Sequence, residues 1–287
     1  MEESGFLLLK GVRKNADRLT NSVSLGEVDG ETDLSNVLSK CSSVIHLAGL
    51  AHVNQESLLD PLKEFQRINF YGTINLARQA AENGVTRFIF ISSIGVNGNT
   101  STKPFTESDI PMPIEPYAIS KHRAEDGLIA LSKQYEMEVV IIRPPLVYGP
   151  NSPGNFSKLI KLVKLGIPLP FASVNNKRSF IALSNLIDFI ILCTKHPKAK
   201  NETFVISDGE DISLPLLLNL ISNAIGKKLW LFPFPRFLLR VLARLLGKSV
   251  ELNKLECDLQ VDITKARSLL NWNPKYSIKD ELNKLVV

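Results

Sequence analysis

Apolar residues fall into two kinds of run along this chain of 287 residues. Short, nearly unbroken runs rich in Val, Ile, Leu and Phe read as strands buried on both faces: GFLLLKGVRK (5–14), SSVIHLAG (42–49), TRFIFISS (86–93), VVIIR opening 139–150, and ETFVISDG (202–209). Longer stretches carry apolar residues at three- and four-residue spacing, which predicts helices over 61–84 (ended by Gly84), from Tyr117 to about Gln134, within 151–166, from Asn185 to Ile191, and within 232–248. The segment 26–40 begins as a short strand or turn and becomes a helix. Gly, Pro, Thr and Ser crowd 95–115, which reads as a loop, and paired prolines stiffen the loop after Arg143. Strand, helix and strand in succession over 86–150 make a right-handed parallel crossover unit. The alternation along the chain places it in the α/β class.

Composition narrows this picture. Hydrophobic content of 44% and charged content of 22% suit a soluble globular protein, and the length suits one large domain, or one with a small lobe. Three cysteines, Cys41, Cys193 and Cys257, are widely separated without metal-ligand spacing; they read as reduced, buried thiols in a cytoplasmic protein, and no metal is expected. The opening MEESGFLLLKG is neither a signal peptide nor a membrane span. A net charge of +5 suits an anionic ligand such as a dinucleotide or a nucleotide sugar. Nucleic acid is not expected, because no dense basic run is interleaved with aromatics.

The chemistry concentrates at the ends of two predicted strands and the start of one helix. In parallel sheets ligands sit beyond the carboxyl ends of the strands, where Ser92 and Ser93 and the loop after Arg143 fall. Tyr117 and Lys121 are one helical turn apart and share a face. A phenol with an ordinary pKa near 10 is a poor base at neutral pH; an ammonium held beside it favours the phenolate. With a Ser hydroxyl orienting the same substrate oxygen, the trio can take a proton from a carbinol or return one. A Tyr and a Lys at this spacing occur by chance on many helices. Here they stand 24 positions after Ser93 (93 to 117) and before a second strand, which makes Ser93, Tyr117 and Lys121 the catalytic candidates.

These residues, with VIHLAG (44–49), INFYGTINLARQA (68–80), IIRPPLVYGP (141–150), RSFIALSNLID (178–188) and VDITKARSLLNWNP (261–274), make the chain resemble the extended short-chain dehydrogenase/reductases, the NAD-dependent epimerase/dehydratase family. It is most similar to bacterial UDP-sugar 4-epimerases and 4-keto reductases of the UDP-N-acetylquinovosamine type. The resemblance implies a doubly wound, mostly parallel, Rossmann-like sheet over 1–150 and a small substrate lobe mainly in 151–287, with 178–208 returning to the core domain. It implies NAD or NADP as cofactor, a UDP-hexose substrate, chemistry at C4 and a role in surface polysaccharide synthesis. Lys121 would also hold the nicotinamide ribose. Cofactor contacts would come from Glu27 and Val28 at the adenine, from Leu47, Ala48 and Gly49 along the pyrophosphate and ribose, from Asn69 and Ser92 at the strand ends, and from Pro144 and Pro145 near the nicotinamide. Asn155 and Arg178 would meet the substrate diphosphate. Three of these have a plainer alternative: a turn carboxylate for Glu27, a structural hydrogen bond for Asn69, a helix cap for Asn155. Subunits would pair as a homodimer through the helices at 61–83 and 116–134.

The chain also departs from the family pattern. It contains no GxGxxG or GxxGxxG turn, and its opening resembles the family's second strand, so roughly 30 residues, about one strand–turn–helix, are expected to be missing. Weak cofactor binding and lower stability follow as expectations, with a non-catalytic binding or regulatory module as the competing class. Arg13 and Lys14 stand where the adenosine ribose is read, which leans towards NADP. Leu146 replaces the Asn of galactose-type epimerases, and Ser179 and Ala182 replace an Asp and a His after Arg178. The Arg236, Arg240 and Arg244 stripe opposite Leu and Val can lie on an anionic membrane; the preferred reading is a lobe helix packing its apolar face over the substrate pocket.

Overall fold

The structure is a computed structural model that describes residues 7–14, 20–51, 59–152 and 154–285. Gly5 and Phe6 of the expected first strand lie outside the described residues. The chain divides into two compact units, one comprising 1–96, 111–143 and 188–204, the other 97–110, 144–187 and 205–287.

The first unit opens with two short parallel strands, β1 (Lys10–Val12) and β2 (Ser22–Ser24). The second lies upstream of the strand or turn expected within 26–40, because Gly26 takes a left-handed φ of 67° and ends the extended run. A one-turn helix, α1 (Ser35–Leu38), precedes β3 (Ser43–His46). A four-stranded sheet follows in the order β3, β4 (Arg87–Ile91), β5 (Glu138–Arg143), β8 (Thr203–Val205), with β3–β4 and β4–β5 parallel and in register. Phe88, Ile89 and Phe90 of β4 and Val140 and Ile142 of β5 are fully buried, which is why these strands read as unbroken apolar runs. The expected helix over 61–84 forms as α2 (Pro61–Phe65), a π-helical segment (Gln66–Gly72) and α3 (Thr73–Glu82). Asp60 caps its start through the Lys63 amide, and Gly84 at φ 81° follows its end. The other crossover helix is α4 (Pro116–Tyr135), with Pro at its first position and Glu136 left-handed beyond its last turn. Leu76, Ala77 and Ala80 of α3 and Ala124, Leu128 and Leu131 of α4 pack with Phe88, Phe90, Val139 and Ile141 in one core.

At Pro144–Pro145 the ladder breaks, since proline has no N–H to donate. The sequence reading continues this stretch as a loop. Instead the chain resumes as a strand, β6 (Leu146–Tyr148), parallel to β7 (Arg178–Ala182); antiparallel β9 (Asp211–Ile212) completes this second sheet. The run from Arg178 to Cys193 thus divides into β7 and a helix, α6 (Leu183–Lys195). The core of the second unit gathers Tyr148, Phe180 and Ala182 with α5 (Asn155–Lys164) and α7 (Leu214–Ala224). Three further helices follow: α8 (Arg236–Leu245), α9 (Ser249–Glu256) and α10 (Thr264–Leu270); α11 (Ile278–Asn283), with a Ser277/Asp280 capping box, is the last. The expectation for α8 fails: only Ala243 of this helix is buried, and none of its residues belongs to the lobe core, which α5, α7 and the second sheet already fill. Among the described residues no helix is long and apolar enough to cross a membrane, and no group of His, Cys, Asp and Glu is arranged to hold a metal ion.

Candidate active site

β4 delivers Ser92 and Ser93 just past its last paired residue, and α4 starts with Pro116–Tyr117. Ser92 is buried; its amide donates to the Ile142 carbonyl at 2.7 Å, while its Oγ has no hydrogen-bond partner. Ser93 is half-buried and its Oγ accepts from the Gly95 amide at 3.1 Å. That use of a lone pair leaves the hydroxyl proton available for an oxygen of a ligand. A Cβ on Gly95 would stand 3.3 Å from both Ser93 Oγ and the Ala118 Cβ, so a glycine allows the serine loop to approach the first turn of α4.

Tyr117 is held from its ring and its backbone. The ring meets Phe65 edge-on, centroids 6.0 Å apart, and the Ser120 hydroxyl donates to the Tyr117 carbonyl at 2.7 Å. Its hydroxyl has no hydrogen bond among the described residues. Burial pushes the phenol up to about 12, so the expectation of a tyrosine already acidified by Lys121 is not met in the protein alone. The cause is desolvation of the phenol, while Lys121 is engaged at the end of β4. Its Nζ donates to the Ile91 carbonyl at 2.8 Å and lies 4.4 Å from the Phe90 ring centroid. Burial brings its pKa down to about 8; Glu125, one turn further along α4, opposes that fall. Glu125 is itself buried and pairs with Arg143 at the end of β5, Nε to Oε1 3.0 Å. Sequence reasoning passed over this pair, although Lys121 and Glu125 share the i, i+4 spacing that links Tyr117 to Lys121.

Asn69, fully buried in the π-helical segment, joins these parts. Its Nδ2 donates to the Leu50 carbonyl at 2.9 Å and to Ser120 Oγ at 3.0 Å; its Oδ1 accepts from the Leu50 amide at 2.6 Å. Leu47, Ala48 and Gly49 lie exposed beyond β3. A Cβ on Gly49 would stand 3.1 Å from Asn69 Oδ1 and 3.4 Å from Lys121 Nζ, so this backbone stays low beside the lysine. His46 is a core residue. The Thr73 hydroxyl gives its one proton to the Asn69 carbonyl at 2.7 Å, so His46 Nε2, 2.9 Å from that hydroxyl, is the donor of the pair. Burial and the nearby Lys121 hold its pKa down at about 3, and the ring is neutral.

Arg13 and Glu27 form an ion pair with each other. Arg67 joins the group, reaching Glu27 at 2.7 Å, Asp29 at 3.3 Å and Glu64 at 2.7 Å. Arg13 is therefore one of two arginines facing three carboxylates, which weakens its appeal to a further phosphate. Val28 packs against the first core. Pro144 and Pro145 are buried at the start of the second unit. In that unit Asn155 is exposed as the first residue of α5; Gly154 holds the cap position, so Asn155 is not the cap. Arg178 opens β7 and donates through one guanidinium nitrogen to the Cys257 carbonyl at 3.0 Å; burial lowers its pKa. Asp262 accepts from the Thr264 amide at 2.8 Å at the start of α10, a helix-entry role.

Residues 10–207 match the family described as the NAD dependent epimerase/dehydratase family. The chain belongs to that family. A UDP-glucose 4-epimerase from Vibrio cholerae is 42% identical over 259 residues, covering 89% of this chain and 79% of the relative. UDP-N-acetylglucosamine 4-epimerase from Bacillus cereus has the same fold, with a TM-score of 0.80 at 21% identity, covering 99% of this chain and 91% of that one. UDP-glucuronic acid 4-epimerase from Bacillus cereus, solved in complex with NAD, gives a TM-score of 0.74 at 22% identity over 93% of this chain and 80% of that one. The fold is thus Rossmann-like, as the sequence reading expects. For an NAD-dependent family the residues at the strand ends fit a nicotinamide nucleoside: the low backbone at Gly49, the unpartnered Ser92 Oγ, and a Lys121 ammonium with donors to spare.

Proposed function

We propose that this protein is a nucleotide-sugar 4-epimerase acting on a UDP-hexose, and that Ser93, Tyr117 and Lys121 carry the reaction. The supporting observation is a buried ammonium, Lys121, one turn beyond a tyrosine whose hydroxyl is unpartnered and beside strand ends left open by Gly49. The Vibrio cholerae relative, a UDP-glucose 4-epimerase, favours this reaction over 4-keto reduction. The nicotinamide cofactor, when bound, supplies the reversible hydride acceptor for C4. Lys121 would hold its ribose, and Ser92, Asn69 and the backbone at 47–49 would border it.

The protein's own residues manage the proton. Ser93 donates to the C4 oxygen and fixes its direction. Tyr117 takes the hydroxyl proton of that oxygen and returns it after the sugar has presented its other face. Burial alone opposes the phenolate, so the step needs the positive charge of Lys121 nearby, and Glu125 keeps that lysine protonated near neutral pH. The UDP diphosphate falls to Arg178, whose planar fork keeps donors beyond the one given to Cys257, and to Asn155. We place the reaction in the cytoplasm, in supply of sugars for surface polysaccharide, with copies paired through α2–α3 and α4, where Tyr71 and Ile129 are exposed.

The assay separates UDP-glucose from UDP-galactose after incubation with the full chain and NAD. Tyr117→Phe should lower kcat by about 10²- to 10⁴-fold, the usual worth of a positioned acid–base group, with little change in substrate affinity. A variant as active as the parent would remove Tyr117 from the mechanism. Stoichiometric consumption of NADH or NADPH with a 4-keto sugar, without epimer formation, would replace epimerase with reductase.

A further inference from the structure

The second unit carries an apolar face that its own core leaves uncovered. On α8, Phe237, Val241 and Leu245 follow one another at four-residue spacing and are 67%, 52% and 78% exposed. Leu238 and Leu242 widen the same face, and Leu246, 73% exposed, extends it past the last turn. The helix is anchored from its opposite side, where Ala243 is buried. Arg240 reaches the buried carboxylate of Glu256 on α9 at 3.0 Å, with Arg236 at 3.9 Å. The Arg240 hydrogen bond to a carboxylate at 1% side-chain exposure ties this side of the helix to α9, which leaves the apolar side chains on the outward side.

Cations border this face. Residues 236–256 contain Arg236, Arg240, Arg244, Lys248 and Lys254 against Glu251 and Glu256. Arg244 has no ion pair or side-chain hydrogen bond among the described residues, and it sits one turn after Arg240 on the margin of the apolar strip. We propose that α8 is an interfacial anchor that lays this protein on an anionic lipid bilayer, with Phe237, Val241, Leu242 and Leu245 entering the acyl boundary and Arg244 and Lys248 meeting lipid phosphates. A short helix that is apolar on one side and cationic at its border has the composition of an in-plane membrane helix. A second copy of the chain suits the face less well. A two-fold contact would bring together two copies of a face bordered by more cations than carboxylates, and that net like charge opposes pairing. This reading concerns where the protein sits and does not depend on the reaction assigned to it.

The test is sedimentation of the full chain with phosphatidylglycerol-rich vesicles and, separately, with phosphatidylcholine vesicles, plus sedimentation velocity without lipid. Val241→Ser with Leu245→Ser keeps the charge and removes apolar area from residues that touch solvent, so the fold, checked by circular dichroism, should persist. The expected result is partition onto the anionic vesicles only, weakened by added salt, and reduced about tenfold or more by the double substitution and severalfold by Arg244→Gln. Equal partition of parent and double variant would overturn the proposal, because the overall positive charge would then explain it. So would absence of partition, binding to both vesicle types alike, or a self-association that the double variant abolishes while vesicles are ignored; this last outcome would assign the face to a second copy.

Discussion

At the residue scale, one lysine carries a structural cost beside its proposed chemical role. Lys121 is buried and its pKa is brought down from 10.5 to about 8, chiefly by desolvation. The folded state therefore holds this proton less tightly than the unfolded chain. The resulting cost is complete below about pH 8, shrinks as pH rises, and vanishes above about 10.5, where both states are neutral. A difference of this size corresponds to about 3 kcal/mol. Urea denaturation of the parent and of Lys121→Met at several pH values should show the parent gaining on the variant by that order as pH rises through this window; a gap that does not change with pH would mean the ammonium is not desolvated. The spacing of Tyr117 and Lys121 is legible in the sequence. The direction of Lys121 towards the Ile91 carbonyl is not, since it depends on a strand 30 residues away in the chain.

At the element scale, the long helix between β3 and β4 is interrupted by the π-helical segment Gln66–Gly72, whose buried residues are Asn69 and Gly72. Asn69 points inward to bind Leu50 and Ser120. Gly72 lets the segment close on the backbone at Val28 and Asp29: a Cβ there would overlap the Val28 carbonyl oxygen and lie 3.1 Å from the Asp29 Cα. Neither obstacle is the end of a flexible side chain. Gly72→Ala should therefore destabilise the protein by roughly 2–3 kcal/mol, read as a lower urea midpoint at unchanged slope. A midpoint within experimental error of the parent would show that the 28–29 segment can move aside. Apolar periodicity alone reads 61–84 as one helix, because it registers a continuous helical run and does not distinguish i to i+4 from i to i+5 hydrogen bonding within it.

At the scale of the whole molecule, the candidate residues divide between the two units. Ser93, Tyr117, Lys121, Asn69 and Gly49 belong to the first, Asn155 and Arg178 to the second. On the proposed roles, this division separates two kinds of affinity. Arg178→Gln should weaken UDP binding by about tenfold or more, the worth of a charge-assisted contact to phosphate, and leave NADH binding unchanged. Isothermal titration with UDP and fluorescence titration with NADH measure the two independently. Loss of both together would indicate that Arg178 supports the fold of its unit through the Cys257 carbonyl rather than contacting phosphate.

The amino-acid sequence by itself determined the class of fold, the four strands of the first unit's larger sheet and its two crossover helices, and the Ser93, Tyr117 and Lys121 candidates. Each of these depends on spacing along the chain: unbroken apolar runs for strands covered on both sides, and four-residue steps for neighbours on a helix. Only the tertiary structure decided the environments. It set the half-buried Tyr117 where desolvation raises its pKa, tied Arg13 to Glu27, placed Glu125 against Arg143, and turned the apolar face of α8 outward. Periodicity says that a helix has an apolar face. Whether that face is covered, and how strongly a buried group is desolvated, depends on side chains brought in from distant parts of the chain.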